Sequence, residues 1–287
     1  DVVLRDRGVG ENLIEDFMIA ANECVATHIY FMNLPFIYRI HEYPKEEKIR
    51  SFLGFVSNLG YHVNGNINDV KPTTMQRILE QLEDKPEYKI LSSLLLRSMQ
   101  KAVYRPENLG HYGLASSCYT HFTSPIRRYP DLIVHRLLRE LVINGDKNSK
   151  KLNKIKKELP KIAIHSSTRE RLAVDIERET TDLNAVEYMS KFVGKNFSSV
   201  ISSVTNFGFF VELENGVEGL VRINTLFGDY FNFVETEYAI IGQNSGKMFK
   251  IGDEVKVKLV EANIQLRQLT FIFISRIIEP EKIIAAD

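Results

Sequence analysis

Two arginines stand side by side, Arg127 and Arg128, in the run HFTSPIRRYPDL from His121 to Leu132. A Ser-Pro precedes them and a Tyr-Pro straddles the second. Proline suits the first position of a helix, where its missing N–H costs no hydrogen bond, and it costs about 3 kcal/mol inside one. A helix is therefore predicted to start at Pro130, with Ile133, Leu137, Leu138 and Leu141 as its apolar stripe and Asn144-Gly145 as its end. Both guanidinium groups then lie just ahead of a helix N-terminus, itself a weak anion site. The first ligand this suggests is a phosphate, which a fixed guanidinium pairs with bidentately. The competing reading is a structural ion pair.

A second candidate lies near the end of the chain. Phe207, Phe209 and Phe210 cluster where one strand turns into the next. By strand alternation Phe209 and Val211 share one face and Phe210 takes the other. Exposed aromatics on such a sheet stack on bases at roughly 1–3 kcal/mol each, although one or two of these rings belong equally well in a core. Arg222 and Arg267 are candidate backbone contacts. From Lys195 onward acids outnumber bases twelve to nine, so any nucleic-acid contact there needs a local patch. Lys147 to Lys161 carries seven lysines and one glutamate, either a solvated linker or helix face or a phosphate-tracking patch. His111, His121 and His135 are not at metal-ligand spacing and read as packing or hydrogen-bonding residues. Tyr112, Tyr119 and Tyr129 either stack on a ligand or fill the core. Cys24 and Cys118 have no paired spacing and no His cluster, so they read as reduced thiols and not as a zinc site.

The elements that must position these residues are mainly helical as far as residue 192. Asn12 is predicted to cap a helix whose Leu13, Phe17, Ala20, Ala21 and Val25 face inward, with Glu15 and Asp16 in its first turn. Pro35 to Pro44 reads as an extended segment. Helices follow from Lys45 to Gly60, from Thr73 or Thr74, from Lys89 to Tyr104 and from His165 to Met189. At about residue 193 the period changes from helix to strand. SSVISSVTNFGFFVEL, then Asn215-Gly216, then VEGLVRI is a β-hairpin signal, and GDEVKVKLVEA and LTFIFI add two strands. About five short strands suggest a small barrel of the OB type. The fold class is α+β. The domains are 1–192, helical; 193–278, a five-stranded OB barrel; and 279–287, a tail.

The totals set limits. The chain has 287 residues, 44% hydrophobic and 26% charged, with zero net charge, as expected for a globular protein of two domains that stays off membranes. Neutrality means whole-molecule charge attracts no polyanion. The sequence starts at Asp1, and DVVLRDRGVGENLIEDF reads like the middle of a longer protein.

Two resemblances sharpen this reading. FGFFVELENGVEGLVRI, GDYFNF and IGDEVKVKL resemble the RNA-binding OB domain of ribosomal protein S1, over almost all of residues 193–275. That family often has His where this chain has Arg222, and Arg keeps the charge and can stack. HYGLASSCYTHFTSPIRRYPDLIVHRLL resembles the signature block of the ribonuclease II and ribonuclease R family of exoribonucleases, the ribonuclease R branch being the nearer. LIEDFMIAANECVA, LLRSMQKAVYRPENLGHYGLA and SSTRERLAVDIER resemble flanking motifs of the same catalytic domain in the same order. The resemblance implies an enzyme of RNA degradation; the two reduced thiols point to a cytoplasmic protein, and the many asparagines, lysines and isoleucines to an AT-rich bacterial genome. By the resemblance it would hydrolyse single-stranded RNA processively from the 3′ end, release nucleoside 5′-monophosphates, and use magnesium held by aspartates. Arg127 would stabilise charge on the scissile phosphate as the catalytic arginine. Glu15 would bind the sugar of the terminal nucleotides, Arg128 would pair with a carboxylate or a second phosphate, and Glu177 would lie near the active site or the RNA channel.

The family's magnesium aspartates form a short dense motif, and no Asp-x-Asp-Asp cluster stands in this chain. The expectation is a piece of the enzyme without its metal ligands, inactive alone and able to bind RNA, acting as a monomer with the ribosome or RNA-decay machinery as further partners. The alternatives are an RNA-binding protein without catalysis, and a translation-associated protein that grips messenger RNA through its OB domain.

Overall fold

The computed structural model describes residues 8–58, 71–81, 88–234, 237 and 239–277. They form two compact units. One holds residues 8–58, 71–81 and 94–175, the other residues 88–93 and those from 176 on. Among the described residues no helix is long and apolar enough to cross a membrane.

The first unit contains helices α1 (Val9–Phe31), α2 (Glu46–Asn58), α3 (Pro72–Glu80) and α5 (Tyr129–Leu137), together with the end of α4 (Tyr88–Ser98) and the longer part of α6 (Ser149–Ser190). Strands β1 (Tyr38–Ile40) and β2 (Val103–Arg105) pair antiparallel, with Tyr38 opposite Arg105. Ala26 and Ile29 of α1, Ile40 of β1, Val134 of α5 and Leu159 of α6 meet in one core. These contacts fix α1 and the start of α5, the two elements that carry Glu15 and the arginine pair.

Several expected boundaries move. Helix α1 begins at Val9 and not after Asn12, because Glu11 Oε2 accepts the Gly8 N–H at 2.8 Å and closes the first turn. Glu15 and Asp16 therefore fall past that turn. The buried face also differs from the expected one. Leu13 and Phe17 are 54% and 64% exposed, while Asn22, Ala26 and Ile29 are buried. Helical spacing gives a stripe its direction, but only the second half of α1 finds a core to enter. The expected helix Lys89–Tyr104 stops at Ser98, since Val103 and Tyr104 gain cross-strand partners in β2. Gly60, the expected end of α2, lies outside the described residues. Helix α5 starts at Tyr129, which makes Pro130 its second residue, and it widens into a π turn over Leu138–Ile143. Lys150–Lys161, in the lysine-rich stretch, is helical in α6 with Pro160 inside it, so the helix starts well before His165.

The second unit is built on a closed barrel of β3 (Asn196–Thr205), β4 (Gly208–Leu213), β5 (Glu218–Arg222), β9 (Glu254–Asn263) and β10 (Gln268–Arg276), in the order β10-β5-β4-β3-β9. β10 and β5 run parallel and the other neighbours antiparallel, the OB arrangement expected from the strand pattern. Alternation along β4 sends Phe209 and Val211 into a fully buried core with Val221 and Phe271. A sheet of β6 (Phe231–Val234), β7 (Ala239–Gly242) and β8 (Met248–Lys250) adds Phe249, which stacks on Phe209 with centroids 5.3 Å apart.

Candidate RNA-binding site

The arginine pair sits on a turn organised by one buried carboxylate. Ser124 O accepts the backbone N–H groups of Arg127 and Arg128 at 3.3 and 3.0 Å. Asp131, on the first turn of α5, is fully buried. Its Oδ1 accepts the Ser124 N–H at 2.8 Å and Arg128 Nη2 at 2.8 Å. The same oxygen thus closes the turn and holds one guanidinium inward. Arg127 takes the opposite course. It is exposed, and its guanidinium makes no hydrogen bond or ion pair among the described residues. One arginine is anchored and its neighbour is available to an anion.

Arg128 lines a cavity of about 730 Å³, with Glu15, Met18 and Asn22 of α1 and Tyr119 and Thr123 of the signature segment. Asn22 ties the two walls together. Its Nδ2 donates to Tyr119 Oη at 2.9 Å and its Oδ1 accepts the Phe122 N–H at 2.9 Å. Thr123 Oγ1, Arg128 Nε and Asp131 Oδ2 are buried and have no hydrogen-bond partner among the described residues. Buried polar atoms are rarely left so, and three around one turn mark a place where a polar ligand would be welcome.

Behind the turn lies a layer of aromatic and polar side chains. His121 Nδ1 meets Tyr104 Oη at 2.7 Å. Arg39 covers the Tyr104 ring at 4.7 Å and pairs with Glu170 of α6 at 2.5 Å. Burial, then the Arg128 and Arg39 charges, push the His121 pKa down to about 2. Burial, with the neighbouring His41 and Arg39 adding to it, lowers His111 to about 4. Both imidazoles are therefore neutral and add no positive charge beside the arginines. Burial raises the Cys118 thiol to about 11, and both cysteines are free. Among the described residues no group of three or more His, Cys, Asp or Glu side chains comes together to hold a metal ion.

The barrel offers a second surface. Phe207 is half exposed and Phe210 partly buried, and their rings meet edge to face at 6.1 Å. Arg222 is exposed and lies opposite Gly208 in the β4–β5 register, beside this ring pair. Gly208 has φ +149°, and a Cβ there would lie 2.1 Å from Val221 O, so only glycine lets β4 start between the rings.

The sequence candidates thus fall into separate groups. Glu15 and Arg128 share the cavity, with Arg127 on the adjoining turn. Phe207, Phe210 and Arg222 share one end of β4 and β5. Arg267 does not join them. It precedes β10, which runs parallel to β5 with Thr270 opposite Leu220, so it lies toward the other end of β5. There it pairs with Glu179 at 3.4 Å and has a left-handed backbone, φ 54°. Glu177 is exposed on α6. Sequence reasoning missed Asn22, Thr123 and Asp131. A polar side chain on the buried face of α1 and an acid in the first turn of α5 were the available signals.

The match to known families agrees with this division. Residues 1–144 match the RNB domain model and residues 190–270 the S1 RNA binding domain model, and the chain belongs to the RNB family of ribonucleases. Within it, the chain is similar to proteins named ribonuclease R. It is 48% identical to Ribonuclease R 1 of Lactococcus lactis over 93% of its own length and 33% of the relative's. It is 43% identical to the Ribonuclease R of Thermotoga maritima over 96% of its length and 39% of the relative's. The chain therefore spans a third or a little more of these relatives. The apo structure of Mycoplasma genitalium RNase R superposes with a TM-score of 0.89 at 34% identity, covering 94% of this chain and 42% of that one. The same protein has also been solved in complex with ribose-methylated single-stranded RNA.

Proposed function

We propose that this chain holds the 3′ end of single-stranded RNA for a processive hydrolytic exoribonuclease that releases nucleoside 5′-monophosphates. The observation that carries the reading is the cavity where Glu15 and an anchored Arg128 meet beside an unpaired Arg127. Glu15 can accept hydrogen bonds from ribose hydroxyls. Arg128, held by Asp131, lines the cavity and can take a phosphate oxygen there. Arg127 pairs with the scissile phosphate and stabilises the charge that grows on it during attack by water. On the barrel, Phe207 and Phe210 stack on bases and Arg222 contacts the backbone.

Magnesium is part of this proposal for the whole enzyme only. No Asp-x-Asp-Asp cluster stands in the sequence and no metal-holding group forms among the described residues. Alone, then, this chain binds RNA and leaves it uncut. The test is a gel of 5′-labelled single-stranded RNA with the chain, with and without magnesium, beside a mobility-shift assay and the variant Arg127→Ala. A shift without shortening, weakened in Arg127→Ala, is the expected result. No shift at all would overturn RNA binding. A magnesium-dependent ladder shrinking from the 3′ end would overturn the claim that the chain does not cut.

A further inference from the structure

The lysine-rich stretch has no part in the site described above, yet the structure gives it a definite form. Lys150, Lys154, Lys157 and Lys161 recur at steps of four, three and four residues within α6. That spacing keeps side chains on one helix face. All four are exposed. The opposite face carries Leu152, Ile155, Leu159 and Ala163, which pack into the core of the first unit. The helix is thus bolted down along one side and presents a straight row of ammonium groups along the other, over about 16 Å.

Ordinary solvated helix faces mix acids with bases in similar number, and from Lys147 to Lys161 this stretch has one acid, Glu158, against seven lysines. Lys151, on the flank, is neutralised by Glu140 and Asp146 at 3.1 and 2.8 Å. Lys154 reaches Glu158 only at 4.0 Å. Among the described residues Lys150, Lys157 and Lys161 have no acid within ion-pair distance. A chain of zero net charge has gathered four exposed lysines, three of them without an ion-pair partner among the described residues, on a single helix. Successive lysines stand about 4.5–6 Å apart along the axis, the scale of one nucleotide step in an extended strand. Lys151 bridges to Glu140 in the π turn after α5, so the row begins near the end of that helical segment remote from the arginine turn.

We propose that this row is a second, sequence-independent binding surface for the phosphate backbone of single-stranded RNA, engaged by nucleotides outside the Glu15–Arg128 cavity. It rests on the reading that the cavity takes an RNA end, and it adds a contact that only a longer strand can reach. Lysine suits the task because it acts as a point charge on a flexible stem and imposes no base or angular preference.

The test is fluorescence anisotropy on the full chain, with 5-nucleotide and 20-nucleotide single-stranded RNAs over a range of salt. The variants are Lys150→Gln/Lys154→Gln/Lys157→Gln/Lys161→Gln and the matching fourfold Lys→Arg. Each neutralised phosphate contributes about 0.7 to the slope of log K against log salt for single strands. The glutamine variant should therefore lose a slope of about 3 on the 20-mer, keep wild-type binding to the 5-mer, and be rescued by arginine. Equal slopes for wild type and glutamine variant on the 20-mer would overturn the lysine row and leave the cavity reading intact, and would point the row toward an acidic protein surface. Equal losses on both lengths would also overturn it, because the row would then not be separate from the cavity. Failure of the wild-type chain to bind either RNA would remove the cavity reading and the row together.

Discussion

Replacing Asp131 by Asn tests whether one carboxylate holds the arginine turn. The amide has the same shape and its oxygen can still accept the Ser124 N–H and the Arg128 guanidinium, so the change removes charge and little else. Hydrogen bonds to an ionised group contribute about 1.5–3 kcal/mol and neutral ones about 0.5–1.5 kcal/mol. Breaking a buried ion pair costs about 3–5 kcal/mol, but Arg128 keeps 20% of its side chain exposed and recovers part of this from water. A local loss of about 2–3 kcal/mol follows, equivalent to a roughly 30- to 150-fold increase in opening of the turn. Native-state hydrogen exchange reads this directly, at the amides of Ser124, Arg127 and Arg128 whose hydrogen bonds define the turn. Amides of β3 in the barrel should keep their rates and serve as the internal control. In a double-mutant cycle with Arg128→Met, the double variant should regain at least about 1 kcal/mol, because an unpaired buried charge no longer exists. Exchange at Ser124 that changes less than about threefold, or a cycle with no coupling, would refute the argument that Asp131 sets the turn through its charge.

Other outcomes follow from the same geometry. Phe207→Ala should weaken binding of a 20-mer RNA by about 1–3 kcal/mol in an anisotropy titration and leave the melting curve of the barrel unchanged. Phe209→Ala should do the reverse, costing about 3–5 kcal/mol of stability, because its ring is fully buried. Gly208→Ala should prevent the barrel from forming, seen as loss of the β signal by circular dichroism, since the new Cβ would meet Val221 O at 2.1 Å. The first unit should lose stability in mild acid. His111 and His121 stay neutral when folded, with pKa values near 4 and 2, while the unfolded chain takes up protons below about 6.5. The unfolded state therefore gains protons first, and each histidine costs up to about 1.4 kcal/mol per pH unit from about 6.5 downward, His111 ceasing to add below about 4. The urea midpoint followed by tyrosine fluorescence should fall between pH 7 and pH 5, and a constant midpoint would refute the burial of these rings.

The barrel was almost fully legible in the sequence. Period-two alternation put Phe209 and Phe210 on opposite faces, without saying which face was the core, and Asn215-Gly216 marked the β4–β5 turn, because both signals depend on neighbours in sequence. Helix types were legible for the same reason, while their ends and faces were not. Leu13 and Phe17 have the spacing of a core stripe, and whether such a stripe is covered depends on partners far away in the chain. Tyr104 lay in a helical pattern and was claimed by β1, more than sixty residues upstream. The arginine pair and Glu15 were readable as residues. Their convergence was not, because Asn22 and Tyr119, which join the two walls, stand 97 residues apart. In the sequence Asp131 is one acid among many, and only its burial gives it weight.

The hydroxyl of Thr123, without a partner among the described residues, has a consequence for how this sequence can drift. Valine has nearly the same shape and would remove a buried oxygen that lacks a partner, at a gain of the order of 1 kcal/mol for folding alone. A library of variants sorted only for abundance should accordingly accumulate valine at position 123. The same library sorted for retention of RNA should keep threonine. Comparing the two populations would separate what this stretch owes to being folded from what it owes to being occupied.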